Sequence, residues 1–306
     1  MRLPAFTIAR LAAAAALCLT AAAGAQDAAT DQADAPEPPQ ASVGGLGDVN
    51  LFPKRIVLNG RRQIEQIGLY NKTANEGDYE IKFVDMAMTP EGNLVEFGNG
   101  LSEADRARVA TASEFLRYSP RRVALKGGES QLVRVMARAP AELPDGEYRS
   151  HFLVTSVPDV TGGLSIEDAL AGENPDGIGV IIRPRFGISI PVIVRVGQTT
   201  LEVGISDPAL LRDEQGNQAI GLTLTRTGNR SAFGDIVIEA SGRGDPVAVV
   251  RGIGIYPEVG QRKVLIPVEP DENGAVIKPG MKLRVSYVDD DFEPGAQLAE
   301  LTFTVQ

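Results

Sequence analysis

Downstream of residue 50 the chain alternates apolar and polar positions in short runs, each closed by Gly, Asn or Asp. Arg55–Asn59, Gln63–Tyr70, Tyr79–Met86, Gln131–Ala137 and Tyr148–Val157 read as β-strands on this pattern, because successive strand side chains point to opposite faces of a sheet. The segment Ser102–Ala112 interrupts the alternation and predicts one short helix. A second set of strands is expected between Leu201 and Val305, punctuated by turns at Asp213–Asn217, Thr227–Arg230, Asp271–Gly274 and Asp289–Gly295. Turns at this spacing fit one immunoglobulin-like sandwich.

The longest apolar run is Ile178–Arg195, which reads as one extended strand with two arginines in its middle. Ile178, Val180 and Ile182 fall on one face, and Ile181, Arg183 and Arg185 on the other. An exposed apolar edge of this kind is a template for pairing with another chain, so it is either covered by the fold or kept for a partner. The stretch Pro158–Gly177 before it is polar and rich in Gly and Pro, and reads as a long loop. The tail Ile188–Val196 reads as core.

Composition narrows the class. The chain has 306 residues, 33 Gly, 20 Pro and no Trp, which with the short Val/Ile runs predicts an all-β protein of two sandwiches. Arg2 and Arg10, the apolar stretch Leu11–Thr20 and the small residues Ala23–Ala25 form a secretory signal peptide over residues 1–25. Cys18 lies within it, so the mature chain has no cysteine and no disulfide. Leu17 is too bulky for Cys18 to be read as a lipidation site. No later stretch reaches about 18 uninterrupted apolar residues, so no stable membrane insertion is expected. Residues 26–48 form an acidic linker with almost nothing large and apolar, read as disordered. The net charge of −10 argues against a nucleic-acid partner. The domain boundaries expected are 49–196 and 197–306.

Several motifs are accounted for without chemistry. His151 is the sole histidine, so zinc sites and Ser/His or Cys/His catalysis lack parts, and it reads as a strand or interface residue. Asp289–Asp291 with Glu293 offers oxygen ligands, but its spacing does not match a calcium loop and it reads as a solvated turn. Arg243–Asp245 reads as a turn. The sequons at Asn71 and Asn229 fall where hairpin turns are expected, and Gly252–Gly254 lacks the third glycine of a phosphate loop. No cofactor, metal site or catalytic residue is assigned, and the chain is not read as an enzyme.

Lys54–Gly60, followed by the strand ending Leu69–Thr73, resembles the first two strands of the periplasmic pilus-assembly chaperones of the chaperone-usher pathway. Ser119–Pro120 and Val123–Val135, with its Val133-Arg134-Val135 ending, resemble a later segment of the same family. Leu143–Val154 resembles its sixth strand and Pro158–Gly177 its long loop. The resemblance spans Leu51–Val196. It is fainter from Leu201 on, where it rests on strand order and on Leu222–Ile238 and Leu298–Val305. It implies two immunoglobulin-like sandwiches in an L-shaped arrangement, located in the periplasm. It also implies a chaperone for pilus and fimbrium assembly, a part of cell-wall organization, that lends secreted pilin-like subunits a strand and passes them to an outer-membrane usher. Under donor-strand complementation, Ile178, Val180 and Ile182 are the inserted residues, contributing roughly 5–9 kcal/mol before ordering costs. The family holds the client's C-terminal carboxylate with two basic residues. Arg55 matches the first; Arg185 is the candidate for the second, with Arg183 as the alternative. The competing reading is a structural or adhesive immunoglobulin-like envelope protein without chaperone activity.

Overall fold

The computed structural model describes residues 49–157, 185–268 and 277–306. The leader 1–25, the linker 26–48, the loop Pro158–Gly177, the donor residues Ile178, Val180 and Ile182, the alternative anchor Arg183, and the turn Asp271–Gly274 lie outside these residues. The architecture is nearly all β, as the alternation predicts.

Residues 49–196 supply β1 (Val49–Phe52), β2 (Ile56–Asn59), β3 (Arg62–Asn71), β4 (Gly77–Val84), β5 (Met86–Met88), β6 (Leu94–Glu96), helix α1 (Glu103–Ala107), β7 (Leu116–Ser119), β8 (Arg122–Leu125), β9 (Ser130–Arg138), β10 (Gly146–Val157) and β11 (Gly187–Val196). They form two facing sheets, ordered β1-β3-β9-β7 and β2-β11-β10-β4-β8, with β5 and β6 as a separate hairpin. The side chains between the sheets are the alternate apolar positions of each strand: Ile67 and Leu69 from β3, Val133 and Val135 from β9, Phe152 and Val154 from β10, Val192 and Val194 from β11. Phe83, Tyr118 and Phe152 meet edge to face with centroids 5.0–6.4 Å apart, a geometry that aligns positive ring edges with negative faces. In α1, Ser102 caps the helix by accepting the Asp105 backbone N–H at 3.1 Å.

The second sandwich comprises β12 (Leu201–Arg212), β13 (Gln218–Gly228), β14 (Ala232–Ala240), β15 (Ala248–Ile255), β16 (Gln261–Pro267), β17 (Lys282–Asp289) and β18 (Gln297–Thr304). Its sheets are ordered β12-β13-β16 and β15-β14-β17-β18. Ile220, Leu224, Ile236, Ile238, Val285 and Tyr287 fill its core. Gly234 lies where β14 meets β17 so closely that a Cβ would stand 1.9 Å from the Val288 carbonyl oxygen, so only glycine fits there.

Both sandwiches belong to one compact unit. A third apolar cluster, Ile193 of β11 with Met88, Tyr256 and Val259, joins them. The β5–β6 hairpin adds a backbone contact, since Lys263 N–H donates to the Pro90 carbonyl at 2.8 Å. Met88 N–H donates to Glu258 Oε1 at 2.9 Å.

Two features of β11 differ from the sequence expectation or extend it. The regular strand starts at Gly187, so Arg185 and Phe186 precede it and are exposed. Its pairing is also unequal on its two sides. Antiparallel β10 flanks it from Gly187 to Val196, whereas parallel β2 flanks it only from Val192 to Arg195. Among the described residues, Gly187–Pro191 therefore presents one open backbone edge. The short strands β1 and β5 to β8 escaped the sequence reading, whereas β2, also of four residues, falls within the expected Arg55–Asn59 strand. Among the described residues, no helix is long and apolar enough to cross a membrane.

Candidate functional site

The inter-sandwich face is built from the positions of β10 and β11 that do not enter the core. With Phe152, Val154, Val192 and Val194 committed inward, strand alternation turns Glu147, Arg149, His151, Pro191, Ile193 and Arg195 the other way. Arg55, one residue before β2, shares that face because Ile56 and Leu58 are core. The sequence thus lines a sheet surface with arginines, and the second sandwich buries them.

Carboxylates compensate most of that charge. Arg195 donates from Nε to Glu147 at 3.1 Å and from Nη1 to Asp291 Oδ1 at 3.3 Å, and its Nη2 bonds Asp291 Oδ2. Burial alone would lower the Arg195 pKa, but Asp291 and Glu147 together raise it. Burial pushes Asp291 upward, and the combined pull of Arg55 and Arg195 outweighs it, holding the carboxyl below its usual range. Arg149 donates to both oxygens of Glu258, at 2.7 and 3.2 Å, and to the Met86 carbonyl at 2.8 Å, with its guanidinium 3.6 Å from the Tyr256 ring centroid. Arg149 and Glu258 side chains are each 3% exposed. Removing one member of such a pair strands a buried charge, at about 3–5 kcal/mol.

Arg55 is satisfied on one nitrogen only. Its Nη2 donates to Asp291 Oδ2 at 2.8 Å and Ser231 Oγ at 3.2 Å, and its guanidinium lies 4.4 Å from the Phe233 ring centroid. Nε and Nη1 are shielded from water and have no acceptor. Among the described residues, Arg149, Arg226, Arg230 and Arg262 each leave one such nitrogen, whereas Arg55 leaves two. A buried donor without an acceptor costs about 1–3 kcal/mol. His151, 1% exposed, has no partner at either ring nitrogen among the described residues. Burial first, then Arg149 and Arg55, lowers its pKa to about 3, so it is neutral near pH 7.

On the far side of Arg195, a recess of about 540 Å³ is lined by Asn59, Gly60, Gly197, Gln198, Thr199 and Phe292 as well. Each of the three nitrogens of Arg195 already donates to Glu147 or Asp291, so its charge is compensated within the protein.

The structure places the predicted site residues unequally. Arg55 reaches the inter-sandwich cleft. Arg185 does not: it donates to the Ser156 carbonyl at 3.3 Å and lies 3.9 Å from Glu80, half-exposed. The β2–β11 register puts Arg55 level with Pro191, and the six-residue separation from Arg185 is about 20 Å along a strand. One carboxylate cannot span both. Asp289–Asp291 is a turn with Asp290 exposed, as expected, but two of its side chains are buried rather than solvated: Asp289 accepts backbone N–H groups of Asp291, Phe292 and Glu293, and Asp291 joins two arginines. His151, Asp291 and Arg195 were not singled out as site residues by sequence reasoning. The lone histidine in a strand was the one available signal for the first. Nothing local marks Asp291, which meets Arg55 across 236 positions of sequence.

No family model matches the chain, and no curated protein matches it. Solved structures similar to it include the YadV chaperone (16% identity over 84% of this chain and 100% of that one, TM-score 0.41). The Escherichia coli chaperone DraB is 15% identical over 84% of this chain and 96% of that one, with a TM-score of 0.41. A chain of the CsuC–CsuE chaperone–tip adhesion subunit pre-assembly complex, from the archaic chaperone-usher Csu pili of Acinetobacter baumannii, is 13% identical over 85% of this chain and 100% of that one, with a TM-score of 0.42.

Proposed function

We propose that this chain is a non-enzymatic periplasmic chaperone that holds secreted pilin-like subunits by lending them a strand and delivers them to an outer-membrane usher. The observation that carries the reading is where the open edge of β11 ends. Among the described residues, β11 runs from Gly187 toward Pro191 with no partner on one side, and β2 takes up that side, in parallel, at Val192. A client strand laid parallel along the open edge would therefore point its C-terminus at Arg55. The free donors of Arg55 are suited to the terminal carboxylate, through charge-assisted hydrogen bonds. Pro191 at the last open position fits an edge, since proline cannot donate to a ladder.

Ile178, Val180 and Ile182 are the donor residues in this reading. They share even numbering with Ile188 and Ile190, which belong to or pack on the first core, so along a continued strand they would present the same apolar face to a client lacking that part of its own core. The domains are 49–196 and 197–306, preceded by a cleaved leader of residues 1–25 and the linker 26–48.

The test is capture from periplasm by the mature chain, native against Arg55→Ala, with co-purified proteins identified by mass spectrometry. The expected result is a β-rich secreted partner recovered by the native form alone, and lost when one residue is added to the partner's C-terminus. Equal recovery by both forms would refute carboxylate capture. It would favour the structural, envelope-protein reading, for which the specific observation is that Asp291 and Ser231 already engage Arg55 inside the molecule.

A further inference from the structure

The carboxylate site proposed above lacks its expected second basic residue, since Arg185 is distant and the position level with Arg55 on β11 is Pro191. The sheet places a different group there. His151 pairs with Pro191 across β10 and β11, and Pro191 is level with Arg55 across β11 and β2. The three form one row on the inter-sandwich face. At one strand spacing each, His151 and Arg55 stand about 10 Å apart at their Cα atoms, with a short, half-buried proline ring between them. Among the described residues, the row carries an unpaired imidazole at one end and a guanidinium with two unpaired nitrogens at the other.

We propose that His151 is the second donor of the carboxylate site, facing Arg55 across Pro191, and that it takes up a proton from solvent as the carboxylate enters. This rests on the chaperone reading and names the residue that completes its anchor.

The surroundings explain why the imidazole waits uncharged. The cations beside it are Arg149 on its own strand and Arg55 ahead of β2, and both oppose its protonation after burial has done so. The carboxylates of the cluster are committed elsewhere: Glu258 to Arg149, Asp291 to Arg55 and Arg195, Glu147 to Arg195, and Asp85 to Ser113 and Ser150. A carboxylate arriving over Pro191 brings the one negative charge that has no partner of its own, and an opposite charge at that range favours the imidazolium. Binding and protonation are then linked, so affinity rises as pH falls through the raised midpoint of the complex toward the free value of about 3.

Because His151 is the only histidine, its ring resonances in histidine-labelled protein can be followed without assignment ambiguity. The probes are a short synthetic peptide of alternating valine and threonine with a free C-terminal carboxylate, and the same peptide as its C-terminal amide. Added to the full mature chain, the carboxylate peptide should raise the His151 titration midpoint by about two units or more, and the amide should leave it in place. His151→Gln should weaken carboxylate-peptide binding about tenfold at about pH 4, midway between the free and the raised midpoint, and remove the gain in affinity between about pH 6 and about pH 4, since one charge-assisted bond is lost. If the carboxylate peptide is preferred, depends on Arg55, and leaves the imidazole unmoved in the native chain, the His151 assignment is overturned and the chaperone reading stands. If native protein does not distinguish carboxylate from amide and Arg55→Ala changes nothing, the anchor itself is wrong and the assignment falls with it.

Discussion

Acid should destabilise this protein through one identifiable side chain, His151. Its ring is 1% exposed, and burial, Arg149 and Arg55 together lower its pKa from 6.5 to about 3. The unfolded chain therefore binds a proton more readily than the folded one between these two values. The contribution of neutral His151 is complete above about pH 6.5 and is lost progressively as pH falls. At about pH 5 the unfolded imidazole is nearly all charged while the folded one is still neutral, and the 1.5-unit gap below the unfolded value corresponds to about 2 kcal/mol. Urea unfolding followed by far-ultraviolet circular dichroism, at about pH 7.5 and about pH 5, measures this directly when the native chain is compared with His151→Gln. Carboxylates that titrate in the same range affect both proteins and cancel in the comparison. The native chain should lose about 2 kcal/mol more than the variant. Equal losses would mean that the imidazole is already protonated or reaches solvent, and the account of a buried neutral histidine beside two arginines would be wrong.

Other perturbations test the same interface and the packing within the second sandwich. Glu258→Gln leaves Arg149 charged and buried without its carboxylate and should cost about 3–5 kcal/mol in urea unfolding, whereas Arg149→Met with Glu258→Leu should be near neutral or stabilising. A double-mutant cycle of Arg55→Ala and Asp291→Asn should show a coupling of about 0.5–3 kcal/mol, and additive effects would deny the ion pair. Gly234→Ala drives a methyl group into the Val288 carbonyl where β14 meets β17 and should destabilise by about 1–3 kcal/mol or more, while Gly98→Ala, with nothing within 4 Å, should stay within about 0.5 kcal/mol.

The sequence by itself determined the class of this protein and the placement of its longer strands. Alternation is a local property, so ten residues of β3 or twelve of β10 reveal which side chains face a core without reference to the rest of the chain. The interruption of that alternation placed the α1 segment, and the resemblance of Lys54–Gly60 to a family's first strand, not alternation, singled out Arg55. Tertiary structure decided what those residues meet. Arg55 finds Asp291 and Ser231 from the far end of the chain, Arg149 finds Glu258, and Arg185 is held away because the β2–β11 register sets Arg55 against Pro191. His151 was visible as the lone histidine, but its orphaned ring nitrogens exist only because a second sandwich closes over a sheet face that a single domain would leave in water. The side-chain pattern of a strand is written along its own length; the partners of its outward face depend on register and docking, which couple residues hundreds of positions apart and leave no local trace.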